Sequence, residues 1–304
     1  MGAEGAMEEK RRYLAEFFSM CNFGKEPSEE LLTAFDKIAS NDGWAHTFLE
    51  IVSRYDGEEV NIDYANVDKS TIEIAEASGI HKYTVILLVY AAMTKRLRER
   101  YIERGIDLEI FKKSMMDFKY KLDECMLVKG VVGNFVSGWE SGFLKLRLFG
   151  LGRLQYEIVP LGENITLDGV ELGADSPAIN IHIPRSGEPF DRESVLASYR
   201  MAKEFFTDTF VDKRTLFVCS SWLLWHEHLN MLSEGSNIRA FIGDFTIIKE
   251  KTYPDYTEIW RLFDVEYDGD PDHLPADSSL RRKYIEHIKS GKPTGSSKGV
   301  FFLD

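Results

Sequence analysis

The spacing of apolar side chains changes once along this chain, and that change constrains the fold more than any single motif. Up to about residue 126 apolar residues recur every three to four positions; beyond Lys129-Gly130 they alternate, interrupted by turn residues. RRYLAEFFSM, SEELLTAFDKIAS and WAHTFLEIVSRY read as successive helices, with Ser28 as candidate N-cap of the second. In LEIFKKSMMDFKYKLDECM, Leu108, Phe111, Met115, Phe118 and Leu122 share one helical face, a stripe that packs a core. The Gly-rich GVVGNFVSGW crosses between the two regimes. The expected division is a helical N-terminal domain over 1–128 and a second domain over 129–304.

The second domain reads as strands and helices in mixed order. FLKLRLFGLGRLQYEIVPL forms two strands meeting at Gly150-Leu151-Gly152, and AINIHIP a third, with Ile179, Ile181 and Ile183 on one face and Asn180 and His182 on the other. RESVLASYRMAKEFFTDTF is an amphipathic helix capped by Asp191. TLFVCS is a buried strand, SWLLWHEHLNML a helix, and NIRAFIGDFTIIKEK a long strand with EIWRLFDVEY as its antiparallel partner. SSLRRKYIEHIKSG is helical and GVFFLD a last strand. The order predicts an α+β fold: an all-helical domain, then a mixed sheet with packed helices that is not doubly wound.

Charge and composition exclude several functions. Fifty acidic against 37 basic side chains in 304 residues leave a formal charge of −13, which repels phosphate backbones, so no nucleic-acid partner is expected. IEIAEASGIHKYTVILLVYAAMTKRL has the outline of a helix-turn-helix around Gly79. Its second helix, however, is apolar on every side, where a base-reading helix needs polar side chains. No run approaches the ~20 apolar residues of a membrane span, and MGAEGAMEEKRRYL lacks the apolar core of a secretory signal. Cys21, Cys125 and Cys219 are odd in number and widely spaced, which fits neither a disulfide framework nor a zinc cluster. A cytoplasmic setting, with no membrane association, is the expectation.

Candidate chemistry concentrates after the third strand. RLFGLG (Arg147–Gly152) matches the R-x-x-G-x-G string that wraps a pyrophosphate, but a strand follows it, so it reads as a hairpin turn. Strand, loop and helix start do occur in sequence at INIHIP, RSGEP and FDRESV. Arg185, Ser186 and Gly187 of that loop, together with Asn180, are the candidate cofactor-binding residues. His182 is the candidate general base, and Glu157 on the neighbouring hairpin strand is a second. Ser221 ends a strand beside Cys219 and Ser220, where it serves either as a nucleophile or as a helix cap. His226 and His228 stand at i and i+2, so a helix sends them to different sides, and no metal is expected. Asp268-Gly-Asp270-Pro-Asp272 lacks the sixth-position Gly of a calcium loop, and GKPTGSSKG lacks P-loop spacing.

LGRLQYE (Leu151–Glu157), INIHIP (Ile179–Pro184), SWLL (Ser221–Leu224), SNIRAF (Ser236–Phe241) and LPADSSLRRKYIEHIKSG together resemble a bacterial family of acyltransferase-domain proteins. Its members join a helical N-terminal domain to a GNAT-like C-terminal domain, and the hairpin around Gly79 is similar too. The resemblance implies transfer of an acyl group from acyl-coenzyme A, acetyl or longer, to an amine on a small molecule or protein. It places INIHIP at the strand leading into the coenzyme A loop. Two departures stand out: PRSGEP lacks a glycine-rich phosphate signature, and no Tyr follows Ser221 where many such enzymes protonate the leaving thiolate. The alternative is therefore a non-catalytic GNAT-like module that binds a metabolite or a partner protein.

Overall fold

The computed structural model describes residues 2–56, 63–211, 213–256 and 258–304. The chain falls into two compact units, one ending at Phe149 and one opening at Gly150.

Among the described residues the first unit contains α1 (Ala3–Met20), α2 (Lys25–Ala39), α3 (Asp42–Ser53), α4 (Tyr64–Ser78), α5 (Lys82–Glu103), α6 (Leu108–Lys129) and the short α7 (Glu140–Leu144). Side chains of Asn41, Asp63 and Asp107 accept the first free amides of α3, α4 and α6. Gly79 and Gly130 end α4 and α6 in the left-handed conformation that an L side chain resists. Ser28 is not the cap of α2: Gly24, at φ 87°, starts that helix one turn earlier, and the Ser28 hydroxyl donates back to the Gly24 carbonyl. α5 is buried without interruption from Thr84 to Thr94, so the turn at Gly79 belongs to a core hairpin.

Residues after α6 return to α5. Asn134 N–H donates to the Tyr83 carbonyl at 3.0 Å and the Thr84 hydroxyl to the Val132 carbonyl at 2.8 Å. Gly133 lies so close that an added Cβ would sit 2.4 Å from the Tyr83 carbonyl carbon. Loss of helical spacing at Lys129 thus marks the end of a helix, while the segment beyond it still packs with the helical unit.

The second unit follows the order β1 (Phe149–Leu151), β2 (Leu154–Pro160), β3 (Ile165–Leu167), β4 (Val170–Leu172), β5 (Pro177–His182), α8 (Arg192–Phe205) and β6 (Thr215–Ser221). It continues with α9 (His228–Met231), α10 (Asn237–Ile242), β7 (Thr246–Tyr253), α11 (Trp260–Phe263), α12 (Ser279–Lys289) and β8 (Thr294–Leu303). The main sheet runs β1-β2-β5-β6-β8-β7, and β3 and β4 form a separate hairpin. β5 and β6 are parallel, whereas β2–β5, β6–β8 and β7–β8 are antiparallel, so the sheet is mixed as expected. Val195, Ser198, Tyr199 and Ala202 line the buried stripe of α8. Tyr199 meets Phe217 and Phe301, and those two rings stack at 5.0 Å.

Four readings change. SWLLWHEHLNML breaks into a 3-10 turn over Trp222–Leu224 and then α9, because the Ser221 hydroxyl caps the turn and Trp225 runs extended. NIRAF is α10, and β7 starts only at Thr246. EIWRLFDVEY is no strand: Ile259 and Phe263, one helical turn apart, join Trp225, Met231, Tyr284 and Ile288 in a core cluster. The partner of β7 is β8, which begins inside the low-complexity KPTGSSKG. Its glycines are steric requirements, since a Cβ on Gly295 would lie 2.4 Å from Trp225 Nε1 and one on Gly299 2.7 Å from Phe245 Cβ.

Candidate active site

Alternation along β5 separates its two faces. Ile179 and Ile181 are buried, while Asn180 and His182 point to the other side. Across the antiparallel ladder Glu157 of β2 lies opposite Asn180, and Gln155 opposite His182, so all four side chains share that face. There Glu157 Oε1 is 2.9 Å from His182 Nε2, and Asn180 Nδ2 is 3.0 Å from the same nitrogen. The imidazole and the carboxylate are each about one-fifth exposed. A carboxylate this close, partly withdrawn from water, fixes the orientation of the ring.

The parallel ladder between β5 and β6 covers only Ile179–Phe217 and Asn180–Val218, although β5 runs on to His182 and β6 to Ser221.

On the β6 side Ser221 uses its hydroxyl to accept from Leu223 N–H at 3.1 Å, the capping role. Cys219 is buried, and burial pushes its thiol up to about 12, which removes thiolate chemistry at neutral pH. On the β5 side the loop is fixed by the protein's own groups. Arg153, in the β1–β2 turn, donates to the carbonyls of Pro184 and Glu188. Arg185 pairs through both terminal nitrogens with Asp264, which also accepts from Arg281 at 2.6 Å. Ser186 accepts from Glu188 N–H, and Gly187 takes φ 70° with open space where a side chain would stand. At the start of α8, Asp191 accepts from Ser194 N–H and Glu193 adds a second first-turn carboxylate.

The structure therefore brings His182, Glu157 and Asn180 into one hydrogen-bonded group and sets Arg185, Ser186 and Gly187 in the loop that follows. Asp264, Arg281 and Arg153 were not singled out from sequence, and no local pattern could connect Arg185 to a carboxylate 79 residues away. His226 lies outside a helix, ahead of α9, so helical spacing does not separate the two histidines: His226 is exposed beside Glu250, whereas His228 is buried in the first turn of α9. Among the described residues no group of three or more His, Cys, Asp or Glu could hold a metal, and no helix is long and apolar enough to cross a membrane. A cavity of about 500 Å³ in the helical unit, lined in part by Met7, Arg11, Phe35 and Asp36, contains none of the candidate site residues.

Residues 148–301 match the family described as the GNAT-like C-terminal domain, and residues 12–146 match the N-acyltransferase N-terminal domain. The chain belongs to this family. A comparison with curated proteins found no match. Among solved structures, an acyltransferase variant in complex with octanoyl-CoA is 22% identical at a TM-score of 0.74, over 98% of this chain and 88% of that one. An acyltransferase in complex with decanoyl-CoA and teicoplanin is 22% identical at 0.71, over 95% and 87%. Another, with decanoyl-CoA, is 17% identical at 0.63, over 96% and 99%. At these identities the likeness is one of fold, and the GNAT-like unit of this chain must be read from its own residues.

Proposed function

We propose that this chain is an N-acyltransferase that moves an acyl group from acyl-coenzyme A to a primary amine on a small molecule. The observation that carries the reading is the imidazole–carboxylate pair of His182 and Glu157 at the C-terminal end of β5. The thioester would lie beside the face of β5 that carries Asn180 and His182. Family membership supports the reaction class. Structures of the same fold hold octanoyl- and decanoyl-CoA, and one holds teicoplanin, which favours a medium-chain donor and a small-molecule acceptor.

Bound acyl-coenzyme A would supply an activated carbonyl with a thiolate leaving group. His182 takes the proton of the attacking amine, whose ordinary pKa near ~10 leaves it mostly protonated at pH 7, and Glu157 stabilises the resulting imidazolium. A nitrogen–carbon bond forms, the carbon–sulfur bond breaks, the proton held by the ring is available to the departing thiolate, and the other proton of the ammonium leaves to solvent. Arg185 offers a guanidinium to a phosphate that would exchange with Asp264.

Those same carboxylates favour a second reading. Asp264 on Arg185 and Asp191 on the first turn of α8 occupy the groups expected to hold an anion, as in a GNAT-like module that binds no nucleotide. Thermal unfolding with acetyl-, octanoyl- and decanoyl-CoA separates the two. The proposal predicts stabilisation of about 2.7 kcal/mol at ~100 times Kd with at least one of them. No stabilisation with any of the three would favour the module.

A further inference from the structure

Asn180 is expected from sequence among the cofactor-binding residues, but its amide lies on the candidate base. Nδ2 of Asn180 and Oε1 of Glu157 approach a single atom, His182 Nε2, at 3.0 and 2.9 Å. One ring nitrogen carries either a lone pair or an N–H, so the two bonds cannot be made together. With Nε2 bare, the Asn180 amide donates to it; with Nε2 protonated, the N–H donates to Glu157.

We propose that Asn180 and Glu157 serve opposite protonation states of His182 Nε2, which makes Asn180 a positioning residue that holds the ring ready to take a proton. The catalytic consequence rests on the function proposed above; the exchange of partners does not. All three residues lie on the β2–β5 ladder, whose register runs unbroken from Gln155–His182 to Pro160–Pro177, so neither partner has to travel as the proton arrives. Residue type matters at position 180. A carboxylate would serve only the protonated ring, and an apolar side chain would leave the bare nitrogen without this donor. Glu157 is the charged group hydrogen-bonded to the ring from β2. In the following loop Arg185 is held by Asp264, and Arg153 spans the carbonyls of Pro184 and Glu188. The charges of Arg153, Arg185 and Asp264 are unaltered in every variant below.

The test is nitrogen NMR of the histidine-labelled full chain, without coenzyme A, titrated from about pH 4 to 9 as native protein and as Asn180→Ala, Asn180→Asp and Glu157→Gln. The proposal expects opposite displacements of the His182 titration: toward lower pH in Glu157→Gln and toward higher pH in Asn180→Ala, each by about half to one pH unit. Asn180→Asp, which keeps the side-chain shape and so guards against a folding defect, moves the titration further up. Above the midpoint, Asn180→Ala shifts the neutral ring toward the Nε2–H tautomer. An unchanged titration and tautomer balance in Asn180→Ala, or displacement in the same direction as Glu157→Gln, overturns the proposal. The acid limb of kcat/KM for acyl transfer should move with the NMR titration. Opposite NMR displacements in a chain that transfers no acyl group would reject the proposed function while leaving the partner exchange intact.

Discussion

Alanine in place of His182 is expected to lower kcat for acyl transfer by about 10²–10⁴-fold, the range lost with a general base, while the Kd for acyl-coenzyme A changes little. The imidazole would act on the amine, which is not part of the donor, so removing it spares donor binding. Glu157→Gln keeps the shape and removes the charge that stabilises the imidazolium, a loss of about ten- to a hundredfold in kcat. Steady-state kinetics paired with calorimetric titration of the donor measures both quantities. Equal turnover by native protein and His182→Ala would remove the ring from the mechanism, and a large rise in the donor Kd would mean that His182 holds coenzyme A.

A second large effect concerns acid stability. His228 is buried, with Nδ1 donating to the Leu223 carbonyl and Nε2 hydrogen-bonded to the Tyr284 hydroxyl, contacts that satisfy the neutral ring. Burial pushes its pKa down to about 4 from an ordinary 6.5. The sign follows directly: the stability due to a neutral His228 is complete above 6.5 and is lost as pH falls toward 4, because the unfolded ring takes its proton first. A shift of this size amounts to roughly 3 kcal/mol. Urea unfolding followed by Trp fluorescence at several pH values between 7.5 and 4.5 should show it, since Trp225 lies 5.8 Å from the His228 ring. His228→Gln is expected to be less stable than native protein at pH 7.5, with the gap closing by pH 4.5. Other titrating groups act on both proteins alike, so parallel stability curves would contradict the assignment.

Much of the candidate site's geometry is legible because β5 has simple alternation. Ile179 and Ile181 against Asn180 and His182 settled which side chains leave the core, and Asp191 before an amphipathic stripe located the start of α8. The sequence could not show which atoms meet. Opposing Glu157 to Asn180 depends on the ladder register, and the β3–β4 hairpin at Asp168-Gly169, inserted between β2 and β5, has strands too short for alternation to reveal. Asp264 lay in a stretch read as a strand. Ile259, Arg261 and Phe263 fit alternation as well as a helical turn, and only burial against Trp225 and Tyr284 decides between them. The beginning of β8 was hidden for a different reason. Gly295 and Gly299 look like linker residues until Trp225 and Phe245 are placed over them.

Hydrogen exchange, followed by mass spectrometry with and without octanoyl-CoA, bears most directly on where the donor would lie. The prediction is slower exchange in peptides spanning 177–184 and 215–224, the facing edges of β5 and β6, with the same protection in His182→Ala. Protection confined to the helical unit, or exchange unaltered at saturating donor, would contradict placement of the thioester beside His182.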